Sequence, residues 1–187
     1  MKREVEYFEK SGPENVETCI NIVGNLVNEG YQDVVVASTS GKTGLLAARS
    51  LQGKGVNLVV VGHNVGFREP NQREFSGEAR REIVELGGHV YIGTILSHSL
   101  ETGLAAKFSG TYPTILIANT LRRLGHGIKV CCEIVMEACD GGLIPEGKHV
   151  VAVGGTVKGA DTVAIIKSAA SNRFLDLYVS EILAKPR

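Results

Sequence analysis

The residues with the most chemical capacity stand together at Ser38-Thr39-Ser40-Gly41-Lys42-Thr43. Ser38, Thr39, Ser40 and Thr43 bring hydroxyls, Lys42 brings a positive charge, and Gly41 admits backbone conformations closed to other residues. The run Asp33–Ala37 precedes them, and its β-branched apolar centre is that of a strand buried on both faces. From Thr43 to Gln52 the spacing of Leu45, Leu46, Ala48 and Leu51 is helical. A strand that turns tightly into a helix leaves unpaired backbone N–H groups at the helix start, and those groups attract anions. This turn is expected to hold a phosphate group. The competing reading is an ordinary strand-to-helix turn, with a hydroxyl capping the helix and Lys42 in water.

Gly41-Lys42-Thr43 also matches the end of a nucleoside-triphosphate P-loop, which requires a glycine five residues before Gly41. Val36 occupies that position, inside the strand, so that motif is excluded.

A second group of candidates lies in Gly62–Pro70, after the apolar run Val56–Val61. His63, Asn64, Gly66 and Phe67 put a histidine, an amide and an aromatic ring into one loop. Phe67 suits an apolar wall for a ring-bearing ligand and equally suits a core residue that pins the loop. A third group follows the buried-type strand Val150–Val153, in the glycine-rich turn Gly154–Thr162. Gly154, Gly155, Thr156, Gly159, Asp161 and Thr162 are its candidate ligand contacts. Gly154-Gly155 does not fit the dinucleotide fingerprint. The turn reads either as a ligand cradle or as a tight bend requiring positive φ. Lys129 and Glu133 are four apart and are expected to pair on a helix face rather than to act in catalysis.

Strands and helices must alternate to position these loops. Glu4–Glu9 suggests a first strand. Ser11–Glu14 starts a helix on which Val16, Ile20, Val23 and Val27 share one face and which Gly30 closes. Glu78–Leu86 reads as a helix, His89–Ile92 as a short strand and Gly93–Gly110 as a polar loop. Tyr112–Leu124 and Ile128–Asp140 read as helices, Val163–Lys167 as a strand, and Leu175, Leu177 and Val179 alternate like another. The expected fold is α/β: a single domain of three layers around a mostly parallel sheet. Ligands of such sheets bind outside the carboxyl ends of the strands. Ser38–Gly44, Gly62–Arg68, Gly93–Ser99 and Gly154–Thr162 all begin there.

The 187 residues suffice for one domain with a substantial core. Hydrophobic residues at 43% and charged residues at 21% fit a globular protein. A formal net charge of zero favours neither nucleic acid nor an anionic membrane as partner. No apolar run is long enough to span a bilayer, and the opening Met1-Lys2-Arg3-Glu4 does not read as a signal peptide, so the cytoplasm is expected. Cys19, Cys131, Cys132 and Cys139 form no Cys-x-x-Cys pair and read as buried thiols rather than metal ligands. Oligomeric state is left open.

Two stretches taken together resemble the C-terminal domain of pyruvate kinase. One is Val34–Thr43, the apolar strand with its Ser-Gly-Lys-Thr turn. The other runs from Pro145-Glu146-Gly147 through Val150–Val153, Gly154, Gly159 and Thr162 to Ile165-Ile166-Lys167. The likeness covers roughly two-thirds of the chain and is weak through Gly62–Gly110. The whole chain resembles the stand-alone archaeal proteins of this group, including the His63–Pro70 loop and the Lys129–Glu133 helix. The resemblance implies a pyruvate kinase C-terminal-like fold whose Ser38–Thr43 turn binds a phosphate of an effector. It also implies FMN as the cofactor, because the stand-alone proteins are associated with it. The catalytic barrel is absent, so pyruvate kinase activity is not expected. A regulatory module binding a sugar phosphate, and an enzyme using His63 or Glu133 in acid–base work, are the competing readings.

Overall fold

The computed structural model describes residues 2–187. Met1, part of the opening read above as no signal peptide, lies outside the described residues. The chain runs β1 (Glu6–Phe8), α1 (Val16–Asn28), β2 (Asp33–Ala37), α2 (Lys42–Leu51), β3 (Asn57–His63), α3 (Gly77–Glu85) and β4 (His89–Gly93). It continues through α4 (Leu100–Phe108), α5 (Pro113–Arg122), α6 (His126–Asp140), β5 (His149–Gly154), β6 (Thr162–Lys167) and β7 (Tyr178–Pro186). The seven strands form one sheet in the order β1-β7-β6-β5-β2-β3-β4. The pairs β1–β7, β5–β2, β2–β3 and β3–β4 are parallel, and β6 runs antiparallel to both of its neighbours. The expected three-layer α/β architecture with a mostly parallel sheet is the one observed.

The valine runs fold as central strands because helices cover both faces of the sheet. Val34, Val36, Leu58, Val60, Val151 and Val153 pack with α1, α2 and α3 on one side. Val35, Val59, Val61, Val150 and Ala152 pack with α6 on the other. Alternate residues thus face opposite cores, which is why no polar residue interrupts the runs. Each fully buried valine stabilises the fold by about 1.5–3 kcal/mol relative to an exposed one, so the β2–β3–β5 centre outweighs any single loop contact. Close approach of the helices needs glycine at specific points. A Cβ on Gly44 would lie 2.3 Å from Val60, and one on Gly154 would lie 2.6 Å from the Gly127 carbonyl of α6.

Three expectations are corrected. Gly93–Gly110 is not a polar loop: it holds a 3-10 turn at Leu96–His98 and the helix α4. The helix was illegible because α4 buries none of its residues, so no apolar stripe marks it. Leu175 does not alternate within a strand: it lies in the 3-10 segment Ser171–Asp176, and β7 begins at Tyr178. Third, β3 runs two residues beyond Val61 and ends at His63, paired with Gly93 of β4. His63 is therefore a strand residue and not a loop residue. Among the described residues no helix is long and apolar enough to cross a membrane.

Candidate functional site

β2, β3, β4 and β5 are mutually parallel, so the segments that follow them gather at one edge of the sheet. From β2 the chain winds through α2 and α3 to β3 and β4 on one face. It then returns by α6 on the opposite face and lays β5 against the other side of β2. The strand order therefore reverses between β2 and β5, where a doubly wound sheet opens its crevice. The turn at residues 38–44 and the turn at residues 154–162 border that point.

The 38–44 turn is built as an anion acceptor. Gly41 adopts φ 91°, and a Cβ there would lie 2.7 Å from Ala79 of α3. Its glycine is thus required by conformation and by packing. Ser38 Oγ accepts the Gly44 N–H at 3.2 Å, and the Gly41 carbonyl accepts the Leu45 N–H at 2.9 Å. Among the described residues, the amides of Lys42 and Thr43 have no protein acceptor. Thr43 is only 8% exposed, yet its hydroxyl makes no hydrogen bond within the described residues. Lys42 is exposed, as are Ser40 and the outer part of the turn. Free amides, hydroxyls and a lysine at the start of a ten-residue helix together suit an anion.

His63 faces this turn. Its Nε2 lies 3.4 Å from Thr39 Oγ1, and its Nδ1 lies 2.9 Å from Glu74 Oε2. Arg68 Nε forms an ion pair with the other Glu74 oxygen at 3.0 Å. The Phe67 ring is tilted by 48° against the imidazole with ring centroids 4.3 Å apart, and it meets His98 edge-on at 5.7 Å. Phe67 is half-buried: it packs against both histidines and keeps part of its ring open to solvent. Asn64 bonds its neighbour's carbonyl (Val65, 3.1 Å), and Gly66 turns the loop at φ 83°. Glu74 and His98 were not found from the sequence. Each reaches the cluster across a loop and carries no local motif.

The 154–162 turn is explained largely by packing. Gly155 does not have positive φ; a Cβ there would lie 2.3 Å from the Gly159 carbonyl of its own turn. Gly159 has φ 77° and abuts Pro13. Asp161 is fully buried and accepts the Thr156 N–H at 3.1 Å and the Thr162 hydroxyl at 2.9 Å. Asp161 and Thr162 therefore brace the turn from inside, whereas Gly155 and Thr156 are half-exposed on its crevice side. Val157, at the tip, is 80% exposed with φ 65°, a strained conformation for a β-branched residue.

On α6, Lys129 and Glu133 pair as expected, but inside the protein and not on a solvated face: they are 4% and 6% exposed. Glu133 also accepts the Ser97 N–H at 2.8 Å. Glu137, one turn on, is 2% exposed. Burial, followed by the neighbouring Glu133 charge, pushes the Glu137 carboxyl up to about 9, so it is protonated at neutral pH. An unfolded glutamate ordinarily titrates near 4.5. Between these values the folded chain holds a proton that the unfolded chain has released, so this group makes stability fall as pH rises. Glu137→Gln should flatten that fall, and urea unfolding at about pH 5 and about pH 8 would read it. Burial also pushes the Cys19 and Cys132 thiols up to about 12 and the Cys131 thiol well above its ordinary value, which leaves them inert as nucleophiles. Among the described residues no group of histidine, cysteine or carboxylate side chains is arranged to hold a metal ion.

The family model "Pyruvate kinase, alpha/beta domain" matches residues 18–166, well over half of the chain. The chain belongs to the pyruvate kinase alpha/beta domain family. Within that family match lie β2 to β5 and most of β6, and with them every candidate site segment. A pyruvate kinase from Cryptosporidium parvum is similar over 82% of this chain at 13% identity, with a TM-score of 0.43. The chain spans 23% of the length of that pyruvate kinase.

Proposed function

We propose that this member of the pyruvate kinase alpha/beta domain family binds a phosphorylated small molecule, FMN in the first instance, across the sheet's switch point. The phosphate lies in the 38–43 turn, with Ser38, Thr39, Ser40, Gly41, Lys42 and Thr43 around it. The ring and ribityl chain extend toward Phe67, His63 and Asn64, with Gly154, Gly155 and Thr156 forming the facing wall. The observation that carries the reading is the pair of free amides and the unpartnered Thr43 hydroxyl at the point where the strand order reverses. The half-buried ring of Phe67, packed against the His63 that contacts Thr39 of that turn, supports a ring-bearing ligand. Flavin is named by the resemblance to the stand-alone proteins of the group.

Mass spectrometry and absorbance of the small molecule released from denatured protein test the reading, and FMN is the expected species. A sugar phosphate in its place would favour the regulatory-module reading. Lys42→Ala should weaken binding of FMN by about fivefold, the modest contribution of an exposed charge. Because Lys42 is exposed, stability should change by less than about 0.5 kcal/mol. Unchanged FMN affinity in calorimetric titration would remove Lys42 from the site.

A further inference from the structure

Each side chain of the Thr39–His63–Glu74 chain of contacts can hold only certain protons. A carboxylate against Nδ1 keeps the proton of a neutral imidazole on that nitrogen, which leaves a lone pair at Nε2. The Thr39 hydroxyl, 3.4 Å from Nε2, then points its proton at His63 and turns lone pairs toward the 38–43 turn. That polarity opposes an anion. When His63 is protonated, Nε2–H donates to Thr39 Oγ1, and the hydroxyl proton is released toward the turn. One proton thus converts Thr39 from acceptor to donor and adds a positive charge beside the site.

We propose that a dianion, the fully ionised phosphate of a monoester, enters the 38–43 turn together with one proton taken up by His63. The inference rests on the anion-binding reading of that turn, which Thr43 supports independently of His63: the residue is 8% exposed, and its hydroxyl, which is not among the buried unpartnered atoms, has no partner among the described residues. Glu74 stabilises the imidazolium that forms, and Arg68 holds Glu74 in place. Phe67 packs at a tilt against the ring. Beyond Phe67 stands His98, whose pKa is lowered first by partial burial and next by the Lys129 charge. On the turn itself the only charged side chain is Lys42. His63 is 28% exposed, open enough to exchange its proton with solvent.

Inorganic sulfate is the probe, because both of its charges persist across the range in which histidine titrates, so any pH dependence belongs to the protein. Calorimetric titration between about pH 6 and pH 8, in buffers of different ionisation heat, should give uptake of close to one proton. Sulfate affinity should fall toward tenfold per pH unit on the alkaline side. His63→Gln should bind sulfate with a flat pH profile and no buffer-dependent heat. Glu74→Gln, which removes the charge but keeps a hydrogen-bonding partner, should move the fall in affinity to lower pH. Sulfate binding by the parent without proton uptake, or an unchanged slope in His63→Gln, overturns the coupling and leaves the anion site standing. No sulfate binding at any pH overturns the anion site and the coupling with it.

Discussion

Lys129→Leu should destabilise the protein by about 3–5 kcal/mol, the usual cost of leaving a buried charge without its partner. The residue is 4% exposed on α6, and its ammonium meets Glu133, itself 6% exposed. Removing the lysine leaves Glu133 to face a neighbouring buried carboxyl, Glu137, with the Ser97 amide as its one remaining donor among the described residues. The double variant Lys129→Leu/Glu133→Gln should recover most of the loss, to within about 1–2 kcal/mol of the parent. It removes both charges and keeps an acceptor for the Ser97 N–H. Urea unfolding of the parent, the single variant and the double variant separates these outcomes. A single variant as stable as the parent would mean that water, not Lys129, neutralises Glu133.

FMN should bind about thirty- to a thousand-fold more tightly than riboflavin, a difference of about 2–4 kcal/mol. Riboflavin keeps the ring and the ribityl chain and lacks only the phosphate. Without it, the Lys42 and Thr43 amides and the Thr43 hydroxyl lose their proposed acceptor. Water re-solvates part of this set, so the penalty is smaller than the sum of the lost hydrogen bonds. The discrimination should shrink at high salt, to the extent that exposed Lys42 contributes through its charge. Titration of flavin-free protein with both ligands measures it. Equal affinities would place the 38–43 turn away from the ligand.

Both sets of residues were legible in the sequence to different degrees, and for physical reasons. Asp33–Ala37 and Val150–Val153 could be read as central strands because burial on both faces leaves an uninterrupted apolar run. The gathering of four polar segments at one sheet edge followed from parallel strands alone. By contrast, α4 shows no periodicity because it packs no face into the core. The Lys129–Glu133 spacing announced a pair, but spacing cannot distinguish a pair in water from one sealed beneath the Leu96–His98 turn. Glu137, four residues further on, is buried as well, and it was not singled out from the sequence. The role of Glu74 depends on the path of the loop between β3 and α3, which local pattern does not encode. Gly155 is a similar case: a glycine needed for room among its own turn's atoms looks the same in a sequence as one needed for positive φ.

The pairing of β1 with β7 sets an order of events during synthesis. Glu6 to Phe8 align with Ala184 to Pro186, and the Phe8 carbonyl accepts the Arg187 N–H at 3.1 Å. At ordinary translation speeds, on the order of ten seconds or more separates these two segments at the ribosome exit. β2 and β3 lie much closer along the chain, so they can pair while β1 is still waiting. The opening strand is thus the last to find its place. Until β7 arrives it is an unpaired strand, with Tyr7 and Val5 left open to solvent even in the finished fold. Glu6 within the strand and the flanking Glu4 and Glu9 suit that interval, since such charges discourage pairing between nascent chains on neighbouring ribosomes.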